Sequence, residues 1–288
     1  MQTLFKIAAF MPLRVLRAVG LLLGWATWLA SPRYRSQFRA NWHRGHDFLQ
    51  AGGLLTQPTS ILNAIGRAGL LAAELPKIWC DPRAADAMSM QGQSCLDELV
   101  SAGQGALVLT PHLGAFELAP RAIGRRHPMT VLYRPSRHPA LERLLQALRP
   151  TAVVKTAPAN GSGLRQLMRC LRAGETVGML PDQVPGQGDG IWSSFFGTPA
   201  YTMTLPIRLA QSTGAGIVWA SALRAPEGWR LTLEPWVPAG GIKADADLEQ
   251  WVLQLNQKIE ALIARSPADY LWAYNRFKAP ADKGSVRA

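Results

Sequence analysis

The stretch Pro111-His-Leu-Gly-Ala-Phe-Glu117 sets an imidazole and a carboxylate five positions apart. Such a pair suits general-base chemistry. A carboxylate beside an imidazole fixes the ring tautomer and stabilises the imidazolium, leaving the other ring nitrogen to deprotonate a hydroxyl. On one continuous helix, two residues five apart diverge by roughly 140° and would not meet. Pro111 and Gly114 break any helix through His112. The expected arrangement is therefore His112 in a strand-to-helix loop and Glu117 in the first helical turn, with Glu117 orienting the ring.

The H-x4-E spacing gains meaning from what precedes it. Gly105-Ala-Leu-Val-Leu-Thr110 is a short apolar run behind a glycine and reads as a buried strand. Similar runs at 129–133, 152–155, 176–180, 216–223 and 229–233 read as strands. Helical patterns fill 139–148, 163–173, 202–213 and 247–264, and residues 41–100 read as helical with turns at Gly52-Gly53 and Asp81-Pro82. Alternation of this kind predicts an α/β fold with a mostly parallel central sheet flanked by helices. Sites in such sheets form where strands end, and His112, Arg134 and Asp182 each follow an expected strand directly.

Composition narrows the setting. The chain has 288 residues, 17% of them charged, with ten Trp against five Tyr. The charged share is below the ~25% of ordinary soluble proteins, and Trp favours the lipid–water boundary. The net charge is +12, and residues 1–50 carry seven basic side chains against Asp47 alone. This excess lies beside the most apolar segment and lacks any nucleic-acid reading motif, so it predicts an anionic membrane surface as partner and no nucleic acid. Cys80, Cys95 and Cys170 have neither disulfide nor metal-ligand spacing. They predict a domain facing the cytoplasm, with no metal and no cofactor. No G-x-S-x-G occurs, which argues against a serine hydrolase.

The amino-terminal segment from Leu4 to Ala30 is apolar except for Lys6, Arg14 and Arg17, and its longest uncharged run is Ala18 to Ala30. A spanning helix takes ~20 residues, so either a tilted span with snorkelling arginines or an interfacial helix fits. A signal peptide fits poorly, because cleavage after Ala30 would put Trp28 at −3 and Pro32 at +2. Residues 1–40 are thus expected to be an uncleaved anchor with a basic strip (Ser31-Pro-Arg-Tyr-Arg-Ser-Gln-Phe-Arg39), and 41–288 the α/β domain.

Several ordered stretches resemble the late acyltransferases of lipid A biosynthesis, the lauroyl and myristoyl transferases, within the lysophospholipid acyltransferase superfamily. They are Pro12-Leu-Arg with Gly-Leu-Leu-Leu-Gly24 and Ser-Pro-Arg-Tyr-Arg35; Thr110 to Glu117; Tyr133-Arg-Pro135; Leu180-Pro-Asp-Gln183; Phe195-Phe-Gly197 with Ala200 and Thr202; and Tyr270-Leu-Trp272 with Arg276-Phe-Lys278. The resemblance implies O-acyl transfer at the cytoplasmic side of a bacterial inner membrane. His112 would activate a hydroxyl of an acceptor lipid, expected to be a lipid A precursor, for attack on the thioester of an acyl-acyl carrier protein. It also matches Arg149 to a functional arginine that clamps a phosphate or steadies the oxyanion, and Asp182 to an aspartate near the site. Arg134 is a candidate phosphate contact or a turn residue. The chain departs from the family pattern at 40–60 and in the Gly-rich stretch 184–190, expected to be a mobile loop beside the site. An acyl-CoA donor, another acceptor lipid (a lysophospholipid, ornithine lipid or glycolipid), or a non-catalytic membrane-binding homologue remain open alternatives.

Overall fold

A computed structural model describes residues 2–136, 138–241 and 247–280. The remainder of the expected 41–288 segment, including everything past 280, lies outside the described residues.

The chain begins with α1 (Gln2–Ala9), α2 (Leu13–Ala30) and α3 (Pro32–Ala51). Ser31 separates the last two: its side chain caps α3 by accepting the Tyr34 N–H, and Pro32 occupies the first turn, where no hydrogen bond is lost. α4 (Ile61–Arg67), α5 (Leu70–Cys80), β1 (Met88–Gln91) and α6 (Ser94–Ser101) follow. The expected all-helical 41–100 region is thus interrupted by β1, which lacks the apolar run that would mark a buried strand; it lies on the outer edge of the sheet beside β9. Next come β2 (Ala106–Leu109), α7 (Ala119–Gly124), β3 (Met129–Tyr133), α8 (Pro139–Leu148), β4 (Val154–Pro158), α9 (Gly161–Arg172) and β5 (Thr176–Met179). β6 (Gly190–Phe195) and β7 (Thr198–Met203) precede α10 (Leu205–Thr213), β8 (Gly216–Ala225), β9 (Gly228–Trp236) and α11 (Leu248–Ala264).

Seven strands form one sheet in the order β1-β9-β8-β2-β5-β3-β4, parallel everywhere except between β8 and β9. The expected mostly parallel α/β sheet is therefore present. Both faces are covered, which is why its central strands read as continuous apolar runs. Along β2 the side chains alternate: Leu107 and Leu109 pack with α3, α9, α10 and α11, whereas Ala106 and Val108 pack with α5, α6, α7 and α8.

The second sheet is the β6–β7 hairpin. Its two-residue turn, Phe196-Gly197, has φ of 48° and 68°, the left-handed values that join strands in a tight hairpin. The helix expected from Thr202 starts instead at Leu205, because Thr202 belongs to β7, paired with Ile191.

The candidate active site

β2, β5 and β3 lie side by side and end on one edge of the sheet. Register pairs Leu109 with Met179, the last residues of β2 and β5. Three residues beyond each strand come His112 and Asp182, so the register that pairs the strands carries these two side chains level.

Asp182 Oδ2 accepts the backbone N–H of His112 at 2.8 Å, and its Oδ1 lies 2.8 Å from Nδ1 of the ring. The carboxylate is 2% exposed and the imidazole 15%. Burial by itself pushes the Asp182 carboxyl up; the charge of His112, its two hydrogen bonds and the nearby Arg276 outweigh this and hold it below the usual carboxylate range. An ionised Asp182 accepts from Nδ1–H, which leaves the lone pair on Nε2. That nitrogen faces the amide of Gln183 at 3.1 Å and accepts from it.

The turn carrying His112 is fixed by backbone bonds. Leu271 N–H donates to the His112 carbonyl at 3.1 Å, Gly114 N–H to Asp269 at 3.1 Å, and Ala115 N–H to Ala222 at 2.8 Å. Gly114 has φ of +64°, and a Cβ there would collide with the Ala222 carbonyl, so only glycine serves. Phe116 packs edge-on against the imidazole, with ring centres 4.8 Å apart.

Glu117 lies in a 3-10 turn, Phe116–Leu118, that leads into α7. The expectation that it orients the ring is corrected: the carboxylate on Nδ1 belongs to Asp182. Glu117 instead receives the fork of Arg149, Nη2 on Oε1 and Nε on Oε2 at 3.3 Å, together with the Trp79 indole N–H at 3.3 Å. Arg149 stands just past α8, its guanidinium 5.8 Å from the Trp79 ring centre. Arg121 donates to the backbone carbonyls of Leu148 and Arg149 and so fixes that corner.

All of this opens on a cavity of about 720 Å³ whose lining includes the polar His112, Glu117, Arg149 and Gln183 and the apolar Ile123, Met129, Val131, Leu145 and Val154. Asp182 sits behind the imidazole. Arg134, just past β3, lines the same cavity, is exposed, and its guanidinium has no partner among the described residues. Arg208 of α10 joins it there in the same condition. The stretch after Gln183 also lines the cavity, and Gly188 and Gly190 N–H both donate to the Tyr201 hydroxyl, which pins the expected mobile loop to β7.

Sequence reasoning did not single out Gln183, Trp79 or Arg208. Gln183 was within reach, since it adjoins Asp182 in a marked stretch. Trp79 carries no sequence signal, because it reaches Glu117 across 38 positions.

A profile described as bacterial lipid A biosynthesis acyltransferase matches residues 59–279. The chain is similar to the lipid A biosynthesis palmitoleoyltransferase of Escherichia coli (strain K12), 27% identical over 203 residues, covering 69% of this chain and 64% of the relative. It is similar to the lipid A biosynthesis lauroyltransferase of the same strain, 26% identical over 211 residues, with 73% and 68% covered. It is also similar to a lipid A biosynthesis acyltransferase of Haemophilus influenzae, 25% identical over 224 residues, with 77% and 70% covered. The matched part is thus just under two thirds of the length of the first of these relatives.

Proposed function

Because the chain belongs to the bacterial lipid A biosynthesis acyltransferase family, we propose that it transfers a fatty acyl chain from a thioester donor to a hydroxyl of a membrane lipid. The observation that carries this reading is the His112–Asp182 pair, whose Nε2 lone pair faces an apolar cavity large enough for an acyl chain. The acceptor hydroxyl takes the place of the Gln183 amide at Nε2 and gives its proton to that nitrogen as its oxygen attacks the thioester carbonyl. Asp182 stabilises the imidazolium so formed. The carbon–sulfur bond then breaks, and the departing sulfur takes the proton from Nε2. No covalent enzyme intermediate is needed.

Arg149, held by Glu117, is positioned for the charge that develops on the carbonyl oxygen or for a substrate phosphate. Glu117 thereby acts through Arg149 rather than through the imidazole. Arg134 and Arg208 supply further cations, which suit a phosphate-bearing substrate. The donor in this reading is acyl-acyl carrier protein, whose acidity complements a +12 chain, and the acceptor is a lipid A precursor. In this reading the site faces the cytoplasm at the inner membrane.

The anchor in residues 1–40 is read as interfacial. α2 buries Leu16, Gly20, Gly24 and Trp28 and exposes Leu22, Leu23 and Leu29. Its Arg17 binds Glu74 and the carbonyls of Ala225 and Gly228, so the helix is bolted along the α/β domain and cannot stand upright in a bilayer without submerging that domain. Mass spectrometry of membrane lipids from cells with and without the protein tests the function. An acceptor lipid lacking one acyl chain in the deleted strain is expected, and an unchanged lipid profile would overturn the reading.

A further inference from the structure

A second cavity of about 450 Å³ shares no lining residue with the first. Arg67 of α4, Arg224 of β8, Arg230 of β9 and Arg265 after α11 contribute guanidinium groups to its wall, and no carboxylate lines it. The acids that serve these arginines lie behind the wall and are outnumbered. Asp269 is shared by Arg67 and Arg224, Glu74 by Arg224 and Arg17, and Glu234 by Arg265 and Lys258. With Arg230, whose guanidinium has no partner among the described residues, six cations stand against three carboxylates. The Thr59 hydroxyl at the same wall is buried with no hydrogen-bond partner.

Guanidinium groups crowded into a recess repel one another and keep unspent donors, and an anion with several oxygens relieves both conditions. We propose that this cavity binds the phosphate of an anionic membrane lipid. A lipid source is favoured over a soluble one by what surrounds the cavity. Leu62, beside the lining residue Asn63, is 62% exposed, and Leu54, a few positions before the lining residue Gln57, is 48% exposed. α2 packs on α4, and its Arg17 reaches the Ala225 and Pro226 carbonyls at the cavity wall, which ties the apolar helix to the rim of the arginine pocket. A lipid seated there places its phosphate among the arginines and its chains towards Leu62 and Leu54. The site adds headgroup selectivity to the apolar helix and basic strip of residues 1–40.

The full chain in detergent micelles containing phosphatidylglycerol, or an equal amount of phosphatidylcholine, gives the test by thermal melting. Phosphatidylglycerol is expected to raise the melting temperature and phosphatidylcholine to leave it unchanged. Arg230→Glu is expected to abolish most of that rise and Arg230→Gln part of it, both with unaltered melting in phosphatidylcholine, because Arg230 breaks no ion pair when replaced. Arg169→Glu, the same charge change on α9, is expected to keep the rise. A full rise in Arg230→Glu, an equal loss in Arg169→Glu, or an equal rise with glycerol 3-phosphate alone would each overturn the proposal.

Discussion

Asp182 accepts both the backbone N–H and the ring Nδ1–H of His112, each at 2.8 Å, although 70 positions separate them in the chain. The same offset of 70 relates Leu109 to Met179 in the β2–β5 register. The site is therefore an extension of sheet pairing past the strand ends.

His112→Ala is expected to lower acyl transfer by ~10²–10⁴-fold, the usual cost of removing a general base. Asp182→Asn is expected to fall in the same range, since an amide no longer selects the Nδ1–H tautomer or stabilises the imidazolium. Rates measured on folded variants check this, and near-normal turnover in either would sink the mechanism.

Glu117 and Arg149 are expected to behave as one unit. Glu117→Gln and Arg149→Gln should each slow transfer, and the double variant should be little worse than the slower single one. Additive losses would mean that Glu117 acts elsewhere. Because both groups are mostly buried, each single change is expected to cost about 1–3 kcal/mol in unfolding free energy, read from denaturant melts.

The chain Arg17–Glu74–Arg224–Asp269–Arg67 ties α2 to the segment that hydrogen-bonds the His112 turn. Glu74 is fully buried between two guanidinium groups. Glu74→Gln is expected to destabilise the fold by about 3–5 kcal/mol, the cost of stranding buried charge. A change below 1 kcal/mol in a denaturant melt (~1 kcal/mol being the scale of a surface pair) would refute the network's role.

Acid should weaken the protein in a defined window. Arg265, and then Lys258, hold Glu234 at about 2 against burial. Asp269 is likewise depressed: burial raises it, but Arg224 and Arg67 outweigh that. A depressed carboxyl contributes stability that is complete above its unfolded value, ~4.3 for Glu, and is lost as pH falls through the folded value. Melting temperature is expected to fall from pH 4.5 towards pH 2, about the interval between those values, and Glu234→Gln should flatten part of that slope. Glu260, raised by burial, works in the opposite sense and loses its contribution as pH rises.

An interfacial α2 predicts one-sided access. Cysteines introduced at exposed Leu4 and at exposed Ser194 in the β6–β7 hairpin should both react with an impermeant thiol reagent from the same side of sealed vesicles. Opposite-side labelling would establish a span.

By itself the sequence determined what depends on short-range physics. Pro111 and Gly114 keep His112 off a helix, Ser31-Pro32 starts α3, and the apolar runs at 106–109 and 176–179 mark doubly covered strands. It also singled out His112, Glu117, Arg134, Arg149 and Asp182, and the fold brings all but Asp182 onto the wall of one cavity, with Asp182 behind the ring. Only the tertiary structure decided which carboxylate meets the imidazole. Five residues of separation made Glu117 look like the partner, yet proximity along a chain says little once a loop and a 3-10 turn intervene. Parallel strand register, a long-range property set by burying both faces of the sheet, brought Asp182 to His112 and left Glu117 to Arg149 and Trp79.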